Sequence, residues 1–568
     1  MSHYDWIVLC GTLAFIILYG MWKSRHTSTI ETYFLADRQL PWYHIGLSVM
    51  ATQASAITFL SGPGQGFSSG LGFVQFYFGL PLAMVLICIT FIPIFHKLNV
   101  FTAYEYLEKR FDNKTRSLTA ALFLIQRGLS TGITIYAPAI ILSTILNIDI
   151  RITILLNGLL VIVYTVYGGT KAVSYTQMLQ MGIIFSGLIL AACMVIAFMP
   201  SEIGLGEALN IAGKMDKLNA IDTKFDLNNR FNIWSGIIGG FFLQLSYFGT
   251  DQSQVGRYLT GKSINQSRMG LVMNGLLKIP MQFIILLIGT MVFVFYQFKP
   301  QPLFYNKAEV SKIMNSEYAD QYANIEKHYD AVNVEKTKAI YTLNAAMKSD
   351  NEQAVNEAST QLQTLKLKSE GIRKEAEDLL KTNNKEADTN DSNYVFLIFV
   401  TENLPVGIVG LLIAVIFLAG MGSTASGLSS LTSTTTVDFY KRFINKQGDE
   451  KAYMNFSRWC TVAWGLFCIV VAFYASHLGN LIVAVNILGS LFYGVILGIF
   501  MVAFFLKRVG GKAVFPAALI SELLVVIVWK LEIMEFLWLN VVGCISVLIL
   551  SLILHVFIKK DISKIESA

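Results

Sequence analysis

Long apolar runs alternate with short polar loops along most of this chain. Runs of about 17–25 apolar residues, the length that crosses a bilayer as a helix, recur over 5–22, 43–67, 72–95, 117–146, 152–168, 175–199, 233–255, 269–297, 395–436, 455–476, 480–505, 513–530 and 535–558. The pattern predicts an all-α polytopic membrane protein of about thirteen transmembrane helices. Two runs break within themselves. The second passes from YHIGLSVMATQASAITFL into SGPGQGFSSG, with Gly62, Pro63, Gly64 and Gly66 close behind Ser55 and Thr58. The seventh breaks at Tyr247-Phe248-Gly249-Thr250. An unpaired backbone amide facing lipid costs several kcal/mol, so a broken helix is tolerated where it lines a cavity. Paired breaks in corresponding halves of a chain mark the central site of a transporter. A kink without a ligand is the bland reading, and the hydroxyl side chains at both breaks favour a site.

One segment departs from the pattern. Residues 303–392 are polar and rich in Ala, Lys, Glu and Asn. Helical patterns over Ser316–Lys348 and Glu352–Leu380, separated by Ser349-Asp350-Asn351, predict a helical hairpin outside the membrane. It reads either as the seat of an unknown partner or as a solvated insertion with no transport role.

Composition agrees with the runs. Only 14% of the 568 residues are charged, against about a quarter in soluble domains, and mean hydropathy is +0.54. The net charge of +6 does not point to nucleic acid, because the positive charges sit in short loops. Lys23, Arg25 and Arg38 follow the first run, Lys97 to Arg116 the third, Lys171 the fifth, Arg257 to Arg268 the seventh, Lys441 to Lys451 the ninth, Lys507 to Lys512 the eleventh, and Lys559 and Lys560 the thirteenth. Positive loops stay inside. The N-terminus is therefore expected outside and the C-terminus in the cytoplasm, in a multi-pass protein of the plasma (inner) membrane. The six cysteines lie in apolar segments without metal-type spacing, so they read as free core thiols. The first run has no basic lead or cleavage site and reads as a retained span.

The ninth run contains Ala419-Gly420-Met421-Gly422-Ser423-Thr424-Ala425-Ser426. Adjacent hydroxyls, joined by free carbonyls of a facing unwound helix, can hold a hard cation without burying a full opposite charge. Side-chain back-bonding to the same helix is the competing reading. Beside the breaks, Gln53, Ser55, Thr58 and Phe59 from the first and Gln244 and Tyr247 from the second are the candidate solute contacts. Lys278 lies inside the eighth run, where a lysine is expensive and marks function unless it snorkels to the interface. Arg127, Glu402 and Glu522 read as snorkelling or structural charges. No His/Cys metal cluster or phosphate-cradling glycine loop supports an enzyme, and no charged ring supports a channel.

The loop Gly168-Gly169-Thr170-Lys171-Ala172, followed by Thr176-Gln177-Met178-Leu179-Gln180, resembles the Gly-Gly-x-Lys-Ala…Thr-Asp-x-x-Gln element of the sodium:solute symporter family. Gln126-Arg127-Gly128 with Ile135-Tyr136-Ala137-Pro138-Ala139, and Asp251-Gln252-Ser253-Gln254-Val255-Gly256-Arg257-Tyr258, are similar to its iodide, multivitamin and monocarboxylate branch. The resemblance covers nearly the whole chain outside 303–392. It implies the LeuT-type fold, with inverted five-helix repeats over 43–199 and over 200–302 with 393–505. The first helix and its loop (1–42) and the last two helices with a short tail (506–568) flank them. It also implies a sodium ion between carbonyls of Ala51 and Ala54 and the ninth run. Matching on Ala-Gly-x-x-Ser-Thr-Ala-Ser makes the ligands Gly420, Ser423 and Thr424; counting back from Asp438 puts the pair on Gly422 and Ser423. Gln244 and Tyr247 match positions that contact and cap substrate in the sugar branch, and Lys278 matches a substrate-binding lysine there. Gln177 stands where many members carry an aspartate that helps hold a further sodium, so one sodium per cycle is expected.

The function so implied is a sodium-coupled symporter importing a small organic solute: a sugar, sugar acid, carboxylate or vitamin-like molecule. The alternative is a transport-like sensor or partner-regulated receptor on the same fold. Sodium is the bound coupling ion, and no organic cofactor is expected.

Overall fold

The computed structural model describes residues 1–23, 29–146, 148–349 and 351–565. Arg25 and Asp350 lie outside the described residues. Among the described residues the structure is nearly all helix, and ten helices are long and apolar enough to cross a membrane. The chain is a multi-pass membrane protein. The count differs from the thirteen expected runs for local reasons: Ile150–Val166 is a shorter apolar helix, and the second and seventh runs are each cut in two.

Helix α1 (His3–Lys23) is followed by the broken pair α2 (Trp42–Gln53) and α3 (Ala56–Ser69), then α4 (Leu80–Ile89). Helix α5 (Asn113–Leu146) leads to α6 (Ile150–Ala197), which kinks at Gly169. There φ is 57° and ψ −173°, a conformation open to glycine and strained for other residues. The second broken pair is α7 (Gly240–Thr250) and α8 (Gln252–Tyr258), followed by α9 (Ile264–Phe298). Helices α10 (Ala319–Lys348) and α11 (Glu352–Asn383) pair as a hairpin. The chain then forms α12 (Val395–Asn403), α13 (Ile408–Thr434), α14 (Glu450–Phe473), α15 (Leu481–Phe505), α16 (Gly511–Lys530) and α17 (Phe536–Ile565). The ninth run is thus two helices, parted between Asn403 and Ile408.

The breaks sit elsewhere than the glycines and aromatics suggest. Helix α3 runs unbroken through Gly62, Pro63, Gly64 and Gly66. These glycines serve close packing: a Cβ on Gly66 would strike the Leu286 carbonyl, and one on Gly289 of α9 the Pro63 carbonyl. Small residues let membrane helices approach backbone to backbone. The first break falls before them, at Ala54 and Ser55. The second falls at Asp251, just past Tyr247–Thr250.

The hairpin has a small core of its own, with Tyr322 and Tyr329 of α10 against Ala376 and Leu380 of α11. Arg373 donates to both carboxylate oxygens of Asp391, each at 2.8 Å. Thr337 donates to the Gln297 carbonyl at 2.8 Å, tying the hairpin to α9.

Candidate functional site

At the first break the backbone changes partners. In an unbroken helix the Ser55 amide would reach the Ala51 carbonyl and the Thr58 amide the Ala54 carbonyl. Instead Ser55 donates to the Gln53 carbonyl at 3.0 Å, and Thr58 to the Ser55 carbonyl at 2.9 Å. The carbonyls of Ala51 and Ala54 are thereby released from their helical donors. Helix α13 packs against this point: a Cβ on Gly420 would meet the Ala56 Cβ at 3.1 Å. Ser423 donates back to the Ala419 and Gly420 carbonyls, at 2.9 and 3.1 Å. Thr424 is buried.

At the second break an acidic residue holds the chain open. Asp251 is extended, with φ −77° and ψ 120°, and caps α8. Its Oδ1 accepts from the Ser253 amide at 2.8 Å and hydroxyl at 2.6 Å. Its Oδ2 accepts from the Tyr493 hydroxyl at 2.7 Å and pairs with Arg127 Nη2. Arg127 also donates to Tyr493 Oη at 3.0 Å, and its guanidinium lies 5.5 Å from the centre of the Tyr247 ring. Tyr247 Oη accepts from Gln254 Nε2 at 2.6 Å.

Between the breaks lies a cavity of about 110 Å³. Both broken helices, α5, α13 and α15 contribute to its wall. Of the residues predicted from sequence, Gln53, Ser55, Thr58, Gln244, Tyr247 and Ser423 line it. Phe59, Lys278, Ala51, Ala54, Gly420 and Thr424 are buried outside the wall. Lys278 Nζ has no hydrogen-bond partner and lies 5.6 Å from the centre of the Tyr77 ring, and Tyr77 is a wall residue. Amide oxygens of Gln53, Gln126 and Gln244, and Arg127 Nε, are buried without partners. Buried polar groups are normally satisfied, so a wall carrying several orphans together is built to receive polar atoms from a ligand.

Of the two readings of Arg127, the structural one holds: it pairs with Asp251 rather than snorkelling, and it also lines the cavity. Its partners Asp251 and Tyr493 are site residues that the sequence reading did not single out. The available signal was an arginine and an aspartate within apolar runs, where ionisable residues face partners or cavities.

Gln177 occupies a neighbouring polar cluster. Its Nε2 donates to Ser426 Oγ at 2.9 Å and the Gly422 carbonyl at 3.1 Å, and its Oε1 accepts from Ser48 at 2.6 Å.

The model of the sodium:solute symporter family matches residues 33–319 and 377–521, leaving out most of the hairpin. The chain is 31% identical over 282 residues to the human sodium/iodide cotransporter, a match spanning 49% of this chain and 43% of that protein. It is 26% identical over 556 residues to the sodium/sialic acid symporter of Proteus mirabilis, spanning 96% of this chain and 93% of that protein. The solved outward-open structure of a Na+-coupled sialic acid symporter superposes with a TM-score of 0.75 at 24% identity, covering 98% of both chains. The fold is therefore LeuT-like, and the chain belongs to the sodium:solute symporter family.

Proposed function

We propose that this protein is a sodium-coupled symporter that carries a small organic solute into the cell by alternating access. One juxtaposition supports the reading most strongly. Carbonyls released at the first break lie where α13 packs with Gly420, beside a polar cavity that both breaks and Ser423 line. Neutral carbonyl and hydroxyl oxygens suit a hard monovalent cation without a buried carboxylate. Sodium then binds to the carbonyls of Ala51, Ala54 and Gly420 and the hydroxyls of Ser423 and Thr424. The solute donates hydrogen bonds to the amide oxygens of Gln53, Gln126 and Gln244, exchanges others with the hydroxyls of Ser55 and Thr58, and lies under Tyr247. Phe59 backs this wall, and Lys278 acts on it through Tyr77.

Sodium bound at the break stabilises the arrangement of α2, α3 and α13 that shapes the cavity, so ion and solute favour the same state and each raises affinity for the other. The N-terminus lies outside and the C-terminus in the cytoplasm, which puts the 303–392 hairpin on the outer face. Sugars, sugar acids, carboxylates and vitamin-like solutes are the classes to test, since fold does not choose among them. The relatives' names show the breadth: iodide and sialic acid, and glucose in Vibrio parahaemolyticus.

Proteoliposome uptake of these classes tests the proposal. An inward sodium gradient should drive accumulation of one of them above equilibrium, and replacement of sodium by choline should abolish it. Uptake indifferent to the sodium gradient would overturn the proposal.

A further inference from the structure

The hairpin bridges two groups of packed helices. On one side stands α9, packed on the broken pair α2 and α3. The chain enters the hairpin from the end of α9, and there the hairpin is tied back by Thr337 and by the Tyr341 ring, 5.3 Å from that of Phe298. On the other side α5, α6 and α14 pack together. The two legs of the hairpin, Lys307–Met314 and residues 384–394, come down on this second group. Asn480, beyond the end of α14, donates to Ser392 Oγ at 3.1 Å, and Asn393 donates to the Gly479 carbonyl at 3.2 Å. Alternating access rocks one group of helices against the other, so a bridge between them acts as a clasp.

Under the legs lies a cavity of about 330 Å³, larger than the central one. Its floor includes Tyr136 of α5, two residues from Pro138, and it is the Pro138 ring that a Cβ on Gly420 would strike. The clasp therefore rests on the helix that backs Gly420. Two carboxylates of the legs have cationic partners: Glu309 pairs with Lys312 at 2.6 Å and Asp391 with Arg373 at 2.8 Å. Among the described residues no Lys, Arg or His pairs with Asp388. Asp388 accepts from the Asn390 amide at 3.2 Å, and Tyr394 interacts both with it and with Tyr136. Beyond these, Asp149 and Arg151 face the cavity from the start of α6, Glu386 from the returning leg, and His477 from the turn after α14. Burial lifts the Asp388 carboxyl from 3.8 to about 7, and Glu309 and Asp391 add to the rise. The seated legs thus favour the neutral carboxyl, and a charge there meets two other carboxylates.

We propose that the hairpin is an outer clasp closed by a proton: with Asp388 neutral the legs stay seated and hold the two groups as they stand, and with Asp388 charged the legs lift and the groups rock freely. This rests on the symport reading and on its orientation, which puts the hairpin on the outer face. The seated form holds the proton more tightly than the lifted one. The clasp is therefore firmest in acid and loosens as pH rises from about 4 to about 7.

Hydrogen–deuterium exchange of the full chain, corrected for the intrinsic effect of pH on exchange, reads the seat without knowledge of the solute. Protection of residues 384–394 should fall by up to about tenfold per pH unit between about 5 and 7 and level off above. Asp388→Asn should keep high protection throughout, and His477→Gln should follow the wild type. Protection that does not change with pH in the wild type would overturn the proposal. So would a fall that persists in Asp388→Asn, or one that disappears in His477→Gln. In proteoliposomes, sodium-driven uptake should slow when the outer solution is acidified from about pH 7.5 to about 5.5, and Asp388→Asn should be slow at both. A wild type that does not slow, or an Asp388→Asn protein that slows further in acid, would overturn the clasp. Absence of sodium-driven uptake at either pH would count instead against the symport reading itself.

Discussion

Arg127 and Asp251 pair across the cavity wall, with the Tyr493 hydroxyl hydrogen-bonded to both at 3.0 and 2.7 Å. The pair joins α5 to the second break, and α15 completes it. Asp251 is fully buried and the Arg127 side chain only 11% exposed, so each charge depends on the other. Breaking a buried pair from one side costs about 3–5 kcal/mol, because the remaining charge is left uncompensated.

Asp251→Asn is therefore expected to be destabilised by roughly that amount, and Arg127→Gln with Asp251→Asn by less than the sum of the two single variants. Thermal unfolding of the four proteins, as a double-mutant cycle, checks this. Additive losses would mean that the pair does not hold the break.

Gln53 and Gln244 carry buried amide oxygens without partners on the cavity wall. Replacing either by Leu should weaken solute binding by about tenfold, the worth of roughly 1.4 kcal/mol in a lost hydrogen bond, while leaving sodium binding unchanged. Isothermal titration with the solute identified by uptake reads both.

Lys278 behaves differently if it acts through Tyr77. Its Nζ is buried and unpaired, and a charge within a membrane helix costs about 2.5–3.5 kcal/mol. Lys278→Met should raise the unfolding temperature and lower solute affinity. A gain in stability with unchanged affinity would assign Lys278 a purely structural place.

Beside the hairpin, burial raises the Asp388 carboxyl from 3.8 to about 7, against the lowering effect of the Asn390 amide and with Glu309 and Asp391 adding to the rise. The folded protein keeps a proton that the unfolded chain releases near pH 4. Stability should fall as pH rises from about 4 to about 7 and level off above. Asp388→Asn should remove that fall; an unchanged profile in unfolding scans across this range would place the titration elsewhere.

Much of this was legible in the chain. Spacing of apolar runs fixes a helical membrane protein, and Ser349 and Asn351 mark where α10 hands over to α11. The placing of the breaks was less legible. Gly62, Pro63 and Gly64 look like breakers in one dimension, yet they lie inside α3, where a Cβ on Gly62 would crowd Ile285 of α9 and one on Gly64 the Ser392 carbonyl. The break moves to Ala54 and Ser55, which carry no local breaking signal. Asp251 shows the same limit: its role depends on Arg127 and Tyr493, 124 and 242 residues away, and no local pattern reports a contact at that separation.

The most direct test is the thermal stability of the purified protein in sodium and in choline, with sugars, sugar acids, carboxylates and vitamins added to each. Ligands that bind the folded state raise its stability by mass action. Sodium alone should stabilise the wild type but not Ser423→Ala with Thr424→Ala, and one solute class should stabilise the wild type in sodium and not in choline. A solute that stabilises equally in both salts, or a sodium effect that survives the double substitution, would contradict the sodium-coupled site described for this protein.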